Sequence, residues 1–387
     1  MSVDRRRPND RQPGLILLAI FSIHIHFASS SLYPSDTEGI DFPPQLDADD
    51  IRYYSENHDI DGLHWALSNV FQRSSRNPIK SDILHELPET IVSRGGGSSY
   101  TTKYKMKMDL EQAEFLAEVL KRTDEKKAAY FRDTVAPTYR TVLEGIPELG
   151  ELERTQGLYG FRPADLEVGI MDIYNKALHH TDFDELTDDK GRPVELLSES
   201  FNATKIEGEW FNEVAQGRPG IVVIDDVLSP LALERIRTIL LQSTVFYQTK
   251  MPLRFGGYAG AYIDDGLHDR ILLALAFEFN KALPRIMKNA PLRYLWAYRY
   301  DSDYNGIATH ADEAAVNLNI WLTPDEANID KDHGGLVIFT AKPPPDADFT
   351  AYNTNTEKLV EEVIKPTGYS NVTVPFRYNR AVMVSAL

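Results

Sequence analysis

From Gly220 onward the apolar residues fall into short runs of strand length, and this limits what the chain can fold into more than any other feature. Ile221-Val222-Val223-Ile224 suits a buried strand, closed by Asp225-Asp226. Ser229 then reads as a helix cap with Pro230 at the first helical position, and Leu233, Ile236, Ile239 and Leu240 give that helix an apolar face. A strand is predicted near 260–263 and a long helix from about 267 to 287. Further strands are predicted over 294–300, 315–323, 336–340, 372–375 and 380–384. Helices ahead of a run of short strands, with Gly and Pro turns between them, predict an α+β fold that ends in a jelly-roll of two facing sheets.

The chain upstream has a different period. Within 105–216, Leu110, Ala113, Phe115, Leu116 and Leu120 recur at helical spacing, as do Val168, Ile170, Met171 and Tyr174, and Pro137, Pro147 and Pro163 punctuate them. Residues 36–104 are mixed, with one helix predicted over 51–71. Their Gly-rich loop, Arg94-Gly95-Gly96-Gly97-Ser98-Ser99, lacks the Lys-Ser/Thr of a phosphate loop and reads as a linker. Residues 1–35 look like a targeting segment: Arg5-Arg6-Arg7, an apolar run over 15–27 interrupted by His24 and His26, then the small residues Ala28-Ser29-Ser30. The run is short for a membrane span. A signal peptide or signal anchor is expected, which would place the protein in the secretory pathway or tie it to a membrane.

Composition narrows the chemistry. The 387 residues have room for two domains, and a net charge of −17 with no long basic stripe argues against a general nucleic-acid binder. With no cysteine, disulfides, thiolate catalysis and Cys-based metal sites are excluded.

The chemistry-bearing pattern is Tyr298 to Trp321, YRYDSDYNGIATHADEAAVNLNIW, centred on His310-Ala311-Asp312. On an extended backbone residues i and i+2 point to the same side, so this imidazole and carboxylate can address one point as two legs of a 2-His-1-carboxylate iron site. His180-Thr181-Asp182 has the same spacing, but lies in the polar run HHTDFDELTDDKGR after a helical pattern and reads as a solvated loop.

Residues 218 to the end resemble the 2-oxoglutarate- and Fe(II)-dependent dioxygenases, in their prolyl-hydroxylase-like branch. The resemblance rests on VVIDDVLSPLALERIRTILLQS, YRYDSDYNGIATHAD, HGGLVIF and NRAVMV in that order. It implies that His310 and Asp312 are iron ligands, that 2-oxoglutarate chelates the metal, and that ascorbate supports turnover. It also implies oxidative decarboxylation to succinate coupled to hydroxylation of a protein side chain or a small molecule. Tyr300 stands where the family often places a tyrosine that bonds the cosubstrate, with core packing as its alternative role. Asn317 and Asn319 are candidate polar contacts at the barrel mouth, Asn319 as a cofactor contact, or else bond neighbouring backbone. The family's distal His and cosubstrate-binding Arg or Lys would follow NRAVMV, where this chain stops at Leu387, so an incomplete copy is expected. His333 comes too early for that His, and Arg377 and Arg380 are the nearby cations. The competing expectation is a non-catalytic relative that binds a partner through its helical half.

Overall fold

The computed structural model describes residues 20–27, 48–73, 100–183, 187–288, 290–301, 307, 309–310, 314–328, 334–341 and 356–385. Strand β1 (Ile20–Phe27) is followed by helices α1 (Ala48–Glu56) and α2 (Ile60–Arg73) where one helix was expected. His58 between them sits in the left-handed region at φ 52°, and the Asp59 carboxylate accepts from Gly62 N at 2.9 Å. The polar trio Asn57-His58-Asp59 therefore closes one helix and caps the next.

Strand β2 (Tyr100–Thr101) leads into α3 (Lys103–Val119), and α4 (Glu125–Tyr130) continues through a widened turn into α5 (Ala136–Gly145). Thr102 caps α3 by accepting from Lys105 N, and Asp124 caps α4 by accepting from Lys127 N. Strand β3 (Tyr159–Gly160) pairs with β2, and short α6 (Pro163–Glu167) and α7 (Ile170–Ile173) close a small core around Leu116, Phe131, Val135, Val142 and Ile170. After a stretch with no helix among its described residues comes α8 (Ala203–Ala215).

The C-terminal half follows the predicted order. Strand β4 (Ile221–Ile224) and α9 (Pro230–Gln242) are as read, with Ser229 accepting from Ala232 N. After β5 (Gln248–Thr249), α10 (Pro252–Phe255) and β6 (Tyr258–Tyr262), the predicted long helix is two: α11 (Arg270–Ala282) and α12 (Pro284–Met287). Pro284 has no N–H to continue the helical ladder, so α11 ends before it. Strands β7 (Leu292–Tyr300), β8 (Val316–Trp321) and β9 (Leu336–Phe339) follow, then α13 (Thr356–Leu359), β10 (Asn371–Val374) and β11 (Arg380–Val384).

Seven strands form one antiparallel sheet in the order β4-β11-β8-β1-β7-β6-β5. Alternation of side chains divides it into two unlike faces. On one face Ile25, Leu295, Ala297, Leu318, Ile320, Ala381 and Met383 are completely buried, in one cluster with Ile236 and Leu240 of α9 and Leu272 and Phe279 of α11. Tyr104, Met108, Ile206 and Trp210 from the helical half join this same core, so packing continues across the boundary expected at 216–218. Each large apolar side chain buried there contributes roughly 1.5–3 kcal/mol. The other face carries Tyr258, Tyr262, Trp296, Tyr298, Tyr300, Asn317, Asn319 and Trp321.

Strands β9 and β10 form a separate antiparallel pair whose Leu336, Ile338 and Val374 pack on Trp321 and Val382 at the β8–β11 end of that second face. Gly335 makes this approach possible: a β-carbon there would lie 2.3 Å from Val374 O. The result is a mixed helix-and-sheet fold of the α+β class.

A buried polar joint fixes the helical half to the sheet. Arg299 of β7 is 2% exposed; it donates to Met108 O at 2.8 Å and to Glu111 Oε2 at 3.0 Å. One turn earlier on α3, Lys105 Nζ meets Asp109 Oδ2 at 2.5 Å. Burial pushes the Lys105 amine down and the Asp109 carboxyl up, each opposed by the other's charge.

The segment expected to be a targeting sequence is partly in the sheet. Strand β1 lies between β7 and β8, with Ile25 opposite Leu295 and Leu318; Ala28-Ser29-Ser30 lies outside the described residues. Among the described residues no helix is long and apolar enough to cross a membrane. With Ile25 and Phe27 both completely buried, Ile25→Ala should cost about 2–5 kcal/mol and Phe27→Ala about 3–5 kcal/mol in denaturant unfolding. Unchanged midpoints in both variants would show that the fold does not depend on this strand.

Candidate cofactor face and metal ligands

Four alternate residues of β7, Tyr294, Trp296, Tyr298 and Tyr300, stand on the face away from the helices, beside Tyr258 and Tyr262 of β6. Tyr298 and Tyr258 meet edge-on at 4.8 Å, Tyr262 stacks on Trp296 at 6.1 Å, and the Tyr262 and Tyr298 hydroxyls are 3.2 Å apart. Burial, with Tyr262 next to it, pushes the Tyr298 hydroxyl well above its ordinary value. Tyr300 belongs to this row, 5.8 Å from the Tyr258 ring. The packing role weighed for it is therefore present, and its half-buried position at the end of β7 also leaves it at the rim of the face.

Across the sheet the pairing sets Val382, Asn319, His24 and Trp296 in one row, and Val384, Asn317, His26 and Tyr294 in the next. Asn317 is 5% exposed. The Asn319 Oδ1 is shielded from solvent and accepts no hydrogen bond, so the bland role of bonding neighbouring backbone does not account for that atom. An amide in this position can take a hydrogen from a ligand, or, turned over, donate its N–H to a carboxylate.

His310 is exposed and lies six residues before the first residue of β8. The preceding carbonyl, Thr309 O, accepts from Thr356 Oγ1 at 3.4 Å, which ties the segment to the start of α13. Asp312 and His333 lie outside the described residues, so the geometry of the His310–Asp312 pair is not defined. Arg377 and Arg380 are already paired. Arg377 reaches Asp225 at 2.7 Å and Asp226 at 3.0 Å, while Arg380 reaches Asp225 at 2.5 Å and donates to Pro375 O. Arg380, with Arg377, holds the Asp225 carboxyl below its usual range. These guanidiniums secure the β4–β11 end of the sheet.

His180-Thr181-Asp182, read as a solvated loop, is a loop with His180 and Asp182 exposed, and it is also pinned to the body of the protein. Thr181 N donates to Ser243 Oγ at 3.1 Å and Thr181 Oγ1 to Gln242 Oε1 at 3.1 Å, at the end of α9; Thr244 N donates to His179 O at 2.9 Å. His180 and Asp182 flank Thr181 and converge on Asp269, the residue before α11. The three ligand atoms lie within 4.8 Å of one another, and His180 Nε2 is 3.1 Å from Asp269 Oδ1.

The electrostatics are those of a crowded, half-buried site. Burial pushes the Asp269 carboxyl up, against the pull of His180. Burial works against the His180 imidazolium, but Asp269 and Asp182 outweigh it and hold the ring above its ordinary value. Neighbouring His268 is lowered to about 3, mainly by burial, and His179 to about 4 by burial and the Lys127 charge. Asp269 escaped the sequence reading because it fell inside the helix expected from about 267; it stands instead just before α11, and its side chain makes no capping bond.

No family model, no curated protein and no solved structure matches the chain.

A polar atom kept buried without a partner costs about 1–3 kcal/mol. Asn319→Leu, of similar shape, is therefore expected to leave the urea midpoint unchanged or to raise it. A loss above about 1 kcal/mol would show that the amide serves the fold through bonds of its own.

Proposed function

We propose that residues 218–387 form a jelly-roll oxygenase dependent on Fe(II) and 2-oxoglutarate, hydroxylating a protein side chain or a small molecule. What supports the jelly-roll is the layering: helices cover one face of the sheet, and the β9–β10 pair covers one end of the other. The observation that carries the functional reading is the placement of His310. It stands exposed where the chain enters β8, and Asn319 of that strand presents a buried, unpartnered amide oxygen among the aromatic rows.

In this reading His310 and Asp312 would hold the metal, and Tyr300 and Asn319 would contact the cosubstrate. The bound metal would supply the activation of O2 that amino-acid side chains cannot. The contribution of this chain is positioning. Tyr258, Tyr262 and Trp296 form an apolar wall that limits water at the face, and the Asn319 amide offers a fixed hydrogen-bonding group in a low-dielectric surround.

One observation favours the second reading, a non-catalytic partner-binding relative. Arg377 and Arg380 are engaged with Asp225 and Asp226 rather than with the aromatic face.

Anaerobic Fe(II) titration of the full chain separates the two. An oxygenase should show a visible charge-transfer band when 2-oxoglutarate is added to the iron-loaded chain, and lose that band in Asp312→Ala. A folded Asp312→Ala protein that retains the band would exclude this site.

A further inference from the structure

We propose that His180, Asp182 and Asp269 bind a divalent transition-metal ion that clasps the 175–183 segment onto the start of α11. This site shares no residue with the oxygenase reading and does not depend on it.

The carrying observation is the state of Asp269. Its side chain is fully buried, and neither carboxylate oxygen accepts a hydrogen bond. It sits at the cap position of α11, where an Asp normally accepts from the helix's own N–H groups, yet it makes no such bond. A buried carboxylate is costly unless it is paired or bound to a metal, and the charged contact it has here is with His180. His180 Nε2 is close, at 3.1 Å, but off the line of a hydrogen bond. Asp182 adds a second carboxylate to the same spot. An ion pair with His180 would leave this extra negative charge uncompensated; a dication neutralises both carboxylates and leaves the imidazole as a neutral donor.

The donor set selects the class of ion. One imidazole and two carboxylates suit Zn2+, Mn2+ or Fe2+, whereas Ca2+ prefers a larger shell made of oxygen alone. Two ligands each about 2.1 Å from one ion can be no more than about 4.2 Å apart. The observed limit of 4.8 Å thus leaves a rotamer-scale adjustment to the two exposed members, His180 and Asp182. Preorganisation comes from the bonds of Thr181 to Gln242 and Ser243, and from Phe183 N, which donates to Asp182 Oδ1 at 2.8 Å and leaves the other oxygen for the ion. The exposed side gives an entry path and room for water as further ligands.

The test titrates ZnCl2, MnCl2 and CaCl2 into the chelator-treated full chain, in a His310→Ala/Asp312→Ala background that removes the other candidate ligands. Zn2+ should bind one to one and raise the thermal midpoint, with Ca2+ at least about tenfold weaker. His180→Gln, an exposed change checked for folding by circular dichroism, should weaken Zn2+ by about tenfold or more, and Asp269→Asn likewise. Zn2+ affinity and midpoint shift unaltered in both folded variants, or no Zn2+-dependent shift in the parent, would overturn the site. Zn2+ binding seen only when His310 and Asp312 are intact would also overturn it, while leaving the oxygenase reading in place.

Discussion

Burial of one sheet face against α9 and α11 is the constraint from which the other features follow. A strand shows alternate residues to opposite sides, so committing Leu295, Ala297, Leu318, Ile320, Ala381 and Met383 to the helices commits Tyr294, Trp296, Tyr298, Tyr300, Asn317 and Asn319 to the other face. That second face is covered by β9 and β10 at one end, over Trp321 and Val382. The aromatic and amide residues therefore have a defined orientation without any local requirement of their own. A slip of one residue in β8 would turn the asparagines into the helix-packed core and move Leu318 and Ile320 onto the aromatic face, which the core energetics forbid.

The same alternation explains what was legible in the sequence. Ile221–Ile224 and Arg380–Val384 were read with their bounds, and the helix that begins at Pro230 with its start, because an apolar run or a Ser-Pro cap marks these points. Breaks inside helical patterns were harder. The stop at His58 depends on a positive φ, and the stop before Pro284 was overridden by a continuous apolar stripe. The strand at Ile20–Phe27 was not read as one, because a basic stretch before an apolar run has the composition of a leader and its partners, β7 and β8, lie far along the chain.

The two His-x-Asp motifs show how far spacing alone carries. At 310–312 the flanking strands made the motif persuasive; His310 is exposed six residues before β8, and Asp312 lies outside the described residues. At 180–182 the polar surroundings suggested solvent, yet Ser243 and Thr244 hold the backbone of that segment, Gln242 holds the Thr181 side chain, and Asp269 arrives from far along the chain. A residue brought in by tertiary contact leaves no local trace. The clue lies in the fold, in a buried carboxylate that accepts no hydrogen bond and has His180 and Asp182 beside it.

The most direct measurement is succinate formation by the folded full chain supplied with Fe(II), 2-oxoglutarate, ascorbate and O2. An oxygenase predicts iron-dependent succinate that disappears in Asp312→Ala, with a slow uncoupled rate even when the true substrate is missing. A folded chain that binds iron and 2-oxoglutarate but makes no succinate above the Asp312→Ala level would contradict the oxygenase reading and favour a partner-binding relative.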